Sequence, residues 1–151
     1  MRRCKEAGQP RQLFELYDNF GEWGVDPNKA TFSFLLDVTA ENKNFSRAEK
    51  ILSRMIEDKY RPSTEDYNNV LITCTESGNS KLLSSFEDMM LNNNANMNER
   101  TLQLLGRGYY VAQDATNLLK IIQLAENTFR TPFDTEQMRK DYDALRVDQL
   151  L

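Results

Sequence analysis

The sequence predicts an all-α protein, an α-solenoid of stacked antiparallel helix pairs, and three observations lead to this fold class. Pro27, Pro62 and Pro132 lie at separations that are multiples of 35 residues, a period typical of repeat arrays. Apolar residues recur at spacings of three and four, which indicates amphipathic helices. No stretch keeps the two-residue alternation of a half-buried strand, so a helix pair is the expected repeat unit.

Residues 1–28 are predicted to be the end of an incomplete repeat. On the 35-residue grid Met1 falls at position 8, inside a first helix. A second helix is expected from Arg11 to about Glu22, and the glycine and proline of residues 24–27 end it. We therefore expect the chain to be a fragment of a longer repeat protein, with a degenerate N-terminal cap as the alternative.

Three full repeats follow, at residues 29–63, 64–98 and 99–133. In the first of them Asn28 is the expected N-cap, residues 31–40 form the first helix, and residues 46–49 read as a capping box that starts the second. The side chains expected to face the core are Phe32, Leu35, Leu36, Ala48, Ile51, Leu52 and Met55.

The later repeats carry similar apolar stripes. In the second repeat the predicted core residues are Tyr67, Val70, Leu71, Leu82, Leu83, Phe86, Met89 and Met90. In the third repeat, where Asp114 is the expected cap of the second helix, they are Leu102, Leu104, Leu105, Tyr109, Leu118, Leu119, Ile122 and Ala125.

The remaining residues, 134–151, are predicted to form one more helix that either caps the stack or is truncated. Asp134 is its expected N-cap, and Met138, Tyr142 and Leu145 form a narrow apolar stripe on an otherwise charged helix. A terminal repeat has to cover one open face of the stack, and a helix that is polar on its outer side does so.

Composition restricts the function. The chain has 151 residues, 40% of them hydrophobic, which is enough for a packed core, and its net charge of −4 argues against a strongly basic nucleic-acid clamp. There is no histidine, so chemistry that depends on it is excluded, and we expect no enzyme activity, cofactor, metal or small-molecule substrate. No apolar run is long enough for a membrane span. Cys4 and Cys74 share one grid position, which favours buried packing residues in reducing surroundings.

The repeat units resemble those of the pentatricopeptide repeat family. Residues 31–36 read T-F-S-F-L-L, similar to the first-helix signature of threonine, aromatic, polar, any residue and two apolar residues, and residues 66–71 are a second copy. Residues 25–28 and 60–63 resemble the closing element, in which an apolar residue precedes x-Pro-polar. The resemblance is strong over residues 25–91, weakens after position 99 and is poor after position 134.

The resemblance implies binding of single-stranded RNA, each repeat addressing one base through two or three side chains. In the family the base-reading residues lie at the fifth position of the first helix and at the last position of the repeat. The pairs implied here are Ser33 with Ser63, Asn68 with Asn98, and Gln103 with Phe133, while the partial repeat contributes only Asn28. By resemblance the asparagine pair favours a pyrimidine, cytosine over uracil, and the serine pair leans weakly towards adenine.

A purely structural interpretation accounts for part of this pattern. Asn28, Ser63 and Asn98 each precede a helix, where serine and asparagine are favoured simply as N-caps. The family's second position, usually apolar and used to sandwich bases, is here Ala30, Glu65 and Arg100. The middle repeat has Lys81 as its only cation beside five carboxylates, so this segment alone should bind RNA weakly.

Two functions therefore compete. The leading hypothesis is single-stranded RNA binding in a mitochondrion or plastid, in transcript processing, stability or translation. The alternative is a protein-interaction scaffold, such as a repeat subunit of an organellar ribosome or another large assembly. Lys43, Arg47, Lys50 and Arg54 form a basic cluster in the first full repeat, but a charge run on a helix is more often a solvated face.

Overall fold

A computed structural model describes residues 9–129 and 135–150, and within these ranges the chain is all-α, with no strand. The eight α-helices are α1 Pro10–Asp18, α2 Lys29–Glu41, α3 Phe45–Glu57, α4 Thr64–Cys74, α5 Ser80–Asn92, α6 Glu99–Val111, α7 Ala115–Thr128 and α8 Glu136–Leu150. A short 3-10 helix, Thr75–Ser77, follows α4. The predicted fold class is confirmed.

The helices stack in two layers. The first helices of successive repeats pack directly on one another, α2 on α4, α4 on α6 and α6 on α8, and we call this the first-helix row. Each second helix, α3, α5 or α7, packs on its own first helix and on the first helix of the next repeat. This is the arrangement of a solenoid, in which each repeat buries its apolar stripe only against its neighbours.

Residues in the left-handed conformation turn the chain at two positions of the grid. Lys43, Gly78 and Gln113 share one grid position between the paired helices, with φ of 50°, 66° and 56°. Gly24, Lys59 and Asn94 share the other, between repeats, with φ of 64°, 65° and 51°. Such a residue after a helix lets the following N–H groups bond back to the last carbonyls of that helix.

Two predicted helix starts or ends are wrong. The second helix of the first full repeat begins at Phe45, and its cap is Asn44, whose side chain accepts from the Arg47 backbone N–H at 3.2 Å, not the predicted box at residues 46–49. The left-handed Lys43 ends the turn early and leaves Asn44 at the cap. Helix α1 ends at Asp18 rather than Glu22, because the Asn19 side chain donates to the Glu15 carbonyl and closes the helix.

The predicted core is mostly confirmed, with the stripe of each helix facing its neighbours. Leu82, Leu104 and Met89 are only partly buried, and in α7 Ile121 occupies the core where Leu119 was expected. Met138 and Leu145 of α8 are buried with Tyr142 packed beside them, as predicted. The predictions for Cys4, Pro132, Phe133 and Asp134 lie outside the described residues.

Apolar side chains fill the first junction, where α2 and α3 pack against α4 and α5. Leu52 and Cys74 are fully buried there, and the rings of Phe45 and Phe86 lie 6.2 Å apart, edge to face. Burial raises the pKa of the Cys74 thiol to about 12, so this thiol is an inert packing residue. The expectation that this cysteine is a buried packing residue is confirmed.

The second junction, α4 and α5 against α6 and α7, contains a buried polar network at the equivalent grid positions. Glu87, in the place of Leu52, accepts from the Tyr109 hydroxyl at 2.9 Å, and Tyr109 takes the place of Cys74. The other Glu87 oxygen accepts from Lys120 Nζ at 2.6 Å, and Ser84 Oγ lies 3.1 Å from the Tyr109 hydroxyl. Burial raises the pKa of Tyr109 above its usual range.

No helix in the described ranges is both long and apolar enough to cross a membrane. The same part of the chain brings together no group of three or more side chains that could hold a metal ion.

Candidate nucleic-acid interface

The first-helix row brings the Asn68 and Asn98 side chains together, although they are far apart in the sequence. Asn68 Nδ2 donates to Asn98 Oδ1 at 3.2 Å, and the Thr101 hydroxyl donates to Asn68 Oδ1 at 2.7 Å. Asn98 is exposed, whereas Asn68 is 0% exposed beneath it. The resemblance pairs these two residues, and their geometry differs within the pair: only Asn98 lies at the surface.

Ser33 and Ser63 are arranged differently. Ser33 is half-buried, and no hydrogen bond between described residues joins it to Ser63. The exposed Ser63 is instead bonded to Asp66, whose Oδ2 accepts from both the backbone N–H and the hydroxyl of Ser63 at 2.8 Å. The serine pair is therefore not preassembled.

Asn28 and Gln103 are the other two candidates, and both are exposed. Asn28 caps α2 through a 2.9 Å bond from the Thr31 N–H. Gln103 borders a groove of about 380 Å³ between α6 and α8, where Gln137 and Asp141 also lie. Phe133, the partner implied for Gln103, is outside the described residues.

All three last-position residues in the described chain are N-caps, as their chemistry alone predicts. Asn28, Ser63 and Asn98 precede α2, α4 and α6, and each side chain accepts a backbone N–H from the first turn. Capping satisfies donors that a helix would otherwise leave without partners. The capping role is thus confirmed, and any contact with a ligand is made by a side chain already fixed at one end.

The second-position residues form an ion pair that the sequence analysis missed. Arg100 Nη1 lies 3.1 Å from Glu65 Oε1 across α4 and α6, and both side chains are about half exposed. A second pair, Arg107 with Glu76 at 3.2 Å, links α6 to the 3-10 helix that follows α4. The sequence shows opposite charges at the same position of successive repeats. That spacing alone does not show that the two side chains are in contact.

In the basic cluster of the first repeat, Arg47, Lys50 and Arg54 lie on α3, outside the first-helix row, and Lys43 lies in the turn before α3. Arg47 binds Asp18 through both guanidinium nitrogens, at 2.6 and 2.9 Å, and lies over the Phe14 ring. Arg54 binds Asp58 in the next turn. Arg47 thus links α3 to α1, and both arginines neutralise carboxylates, in agreement with the interpretation of the cluster as a solvated helix face.

Comparison with known proteins matches this architecture. A model of the pentatricopeptide repeat domain matches residues 15–77. Pentatricopeptide repeat-containing protein At5g25630 of Arabidopsis thaliana is 31% identical over 108 residues, which cover 68% of this chain but only 19% of that protein. This chain thus spans about a fifth of that relative.

Solved structures of the same fold are also similar. Two crystal structures of the pentatricopeptide repeat protein PPR10 in complex with an 18-nt psaJ RNA element, one of them a cysteine-to-serine variant, superpose with a TM-score of 0.71 at 15% identity. The superposition covers 92% of this chain and 23% of that one. With its repeat length, its two-layer stack and these relatives, the chain belongs to the pentatricopeptide repeat family.

Proposed function

We propose that this chain binds single-stranded RNA along its first-helix row, as a segment of a longer repeat array. The observation that carries the proposal is the meeting of Asn68 and Asn98 at 3.2 Å, at the two positions where the family places its base readers. The structurally similar PPR10 is bound to RNA, which supports the same ligand class for this chain.

Within the asparagine pair we assign the base contact to Asn98. It is exposed, whereas Asn68 is wholly buried and contacts a base only if its bond to Asn98 opens. Asn68 thereby acts from behind and holds the Asn98 amide in place. Ser33 with Ser63, the exposed Gln103 and Asn28 are the further proposed contacts. The proposed preferences are a pyrimidine for the asparagine pair and adenine for the serine pair.

The charge of the row supports specific but weak binding by this segment. Phosphate neutralisation by lysine and arginine supplies most non-specific affinity for nucleic acid. Arg100 and Arg107 are the cations of α6 on this face, and each already pairs with a glutamate. We therefore expect the complete array to supply the affinity and this segment to contribute base preference.

The test is a binding selection on the whole protein with a randomised RNA library at physiological salt. Replacing Asn68 and Asn98 together by alanine is expected to change the base preference at one nucleotide. Asn127→Ala is the matched control, because Asn127 is an exposed asparagine on the second helix α7. An unchanged preference in the double variant contradicts the two-residue assignment, and failure of the wild type to retain RNA contradicts RNA binding altogether.

The Glu65–Arg100 pair favours a second candidate, a protein-interaction scaffold within a larger assembly. Charged side chains bonded to each other at 3.1 Å occupy the place where the family usually presents apolar groups to bases. A crosslinking footprint of a protein partner, obtained with no RNA retained, is the result that selects the scaffold.

We also propose a mitochondrial or plastid location, with a role in transcript processing, stability or translation. Family membership and the plant relative support this setting. Fluorescence microscopy of the whole protein, tagged at its C-terminus, tests it, and a purely cytosolic signal contradicts it.

A further inference from the structure

In α2, α4 and α6 the third residue of the helix is hydrogen-bonded to the residue that precedes the helix. The three pairs are Asn28 with Thr31, Ser63 with Asp66, and Asn98 with Thr101. The preceding residues are exposed, and they are the proposed readers at the last repeat position. We propose that the third residue determines whether its reader offers a base a hydrogen-bond donor or an acceptor, an inference that rests on the RNA binding proposed above.

Threonine at the third position adds a hydroxyl donor to the backbone N–H that already orients the asparagine amide. Asn98 Oδ1 accepts from the Thr101 N–H and hydroxyl, both at 2.9 Å, and Asn28 Oδ1 accepts from the same two groups of Thr31, also at 2.9 Å. Only the amide oxygen can accept a backbone N–H, so the amide cannot be reversed without losing the cap. The NH₂ group is therefore the end that faces a ligand, and these asparagines offer a donor.

Asn68 strengthens this orientation in the middle repeat. Its Nδ2 also donates to Asn98 Oδ1, at 3.2 Å, so the oxygen of Asn98 is surrounded by donors of the protein. The Thr101 hydroxyl has a single hydrogen, which Asn68 Oδ1 and Asn98 Oδ1 share. Reversing the Asn98 amide would set its NH₂ group against these donors, which is unfavourable.

Aspartate at the third position has the opposite effect on Ser63. The Ser63 hydroxyl donates its one hydrogen to Asp66 Oδ2 at 2.8 Å, and Ser63 Oγ accepts from the Asp66 N–H at 3.2 Å. Asp66 is buried and also accepts from the Ser63 backbone N–H, so this arrangement is fixed from two sides. A serine hydroxyl has one hydrogen and two lone pairs, and what is left for a ligand is one acceptor.

The two arrangements fit different bases. A donor at Asn98 fits the carbonyl oxygen O2 that both pyrimidines carry. An acceptor at Ser63 fits an exocyclic amino group, as on adenine or cytosine. The third residue does not touch the base in this scheme, so it is a positioning residue that acts through the reader beside it.

The experiment exchanges one arrangement for the other in the whole protein. Asp66→Thr places a hydroxyl donor beside Ser63 Oγ, as Thr31 does beside Asn28, and releases the Ser63 hydrogen. At the nucleotide addressed by residues 29–63, the ratio of amino-bearing bases (A and C) to carbonyl-bearing bases (G and U) is expected to fall about fivefold, the ratio that one hydrogen bond of about 1 kcal/mol gives. The nucleotide addressed by residues 64–98 should keep its preference.

Three further variants distinguish an effect of Asp66 that acts through Ser63 from a change in folding. In a Ser63→Ala background Asp66→Thr should produce no further change in the ratio, because the reader is gone. Thr101→Ser keeps the hydroxyl and should leave the preference at its own nucleotide unaltered. Asp66→Ser supplies a smaller hydroxyl and replaces Asp66→Thr if thermal melting shows that the threonine variant does not fold.

The possible outcomes distinguish this inference from the proposed function. RNA retained by Asp66→Thr with an unchanged base ratio overturns the inference and leaves RNA binding in place. A shift that persists in the Ser63→Ala background also overturns it, because the effect does not then pass through Ser63. A wild-type protein that retains no RNA overturns the proposed function itself.

Discussion

The first and the second junction place equivalent helices in equivalent positions but hold them together with different chemistry. At the first junction the paired grid positions hold Leu52 and Cys74, both fully buried. At the second they hold Glu87 and Tyr109, which are also buried but depend on hydrogen bonds and on Lys120. One solenoid geometry therefore accepts either apolar packing or a polar network whose buried groups, Glu87 and Tyr109, have partners.

The difference predicts how each junction fails. An apolar junction loses stability in proportion to the volume removed, because a cavity remains after truncation. A junction that contains a buried carboxylate loses stability when the partner of the carboxylate is removed, because the buried charge is then left without compensation. In a repeat protein these effects are largely local, since each repeat contacts only its neighbours.

The largest expected effect is at the first junction. Leu52→Ala should lower the free energy of unfolding by about 3 kcal/mol, because Leu52 is only 1% exposed and its removal leaves a cavity. Urea unfolding followed by circular dichroism measures the change. Leu124→Ala on α7 is the matched control, since Leu124 is 37% exposed and should cost about 0.5 kcal/mol or less. Similar losses for the two variants would contradict an apolar seal at Leu52.

The next effect is at the second junction. Lys120→Met should destabilise the chain by about 2 kcal/mol, because it leaves the buried Glu87 carboxylate with Tyr109 as its remaining donor. Lys120 is itself 57% exposed, so water recovers part of the lost interaction and the cost stays below that of a fully buried pair. Thermal and urea unfolding against the wild type give the value.

A double substitution is the control for this polar junction. Glu87→Leu with Tyr109→Phe imitates the apolar first junction and should be within about 1 kcal/mol of the wild type, because well-packed apolar groups often replace a buried ion pair without loss. If instead the double variant is strongly destabilised while Lys120→Met is neutral, the polar network stabilises the second junction more than apolar packing would.

Sequence reasoning predicted the repeated parts of this molecule and missed what occurs once. The grid, the apolar stripes and the caps at Asn28, Ser63 and Asn98 follow from local periodicity and from helix-end chemistry, which act within a few residues. The Glu65–Arg100 pair and the burial of Asn68 depend on how α4 meets α6 in space. Periodicity places those residues on one face but does not give the distances between them.

The capping box at residues 46–49 failed for a related reason. Its Ser-x-x-Glu pattern is a valid helix start, but Asn44 two residues earlier is an equally good cap, and the left-handed turn at Lys43 decides between them. The turn is visible only once the backbone is known, because lysine gives no sign of a positive φ. Glycine at the equivalent position, Gly78, does give that sign one repeat later.

The smallest effect distinguishes the two reader pairs, one at each junction. A double-mutant cycle of Asn68→Ala and Asn98→Ala should give a coupling energy of about 1 kcal/mol, because their side chains are hydrogen-bonded at 3.2 Å. The cycle of Ser33→Ala and Ser63→Ala should give a coupling close to zero, since no hydrogen bond between described residues joins those serines. Each single variant at Ser63 or Asn98 also removes a cap, but the cycle cancels that cost. Equal coupling in the two cycles would show that the asparagine pair is no more preassembled than the serine pair, and that the burial of Asn68 does not come from its bond to Asn98.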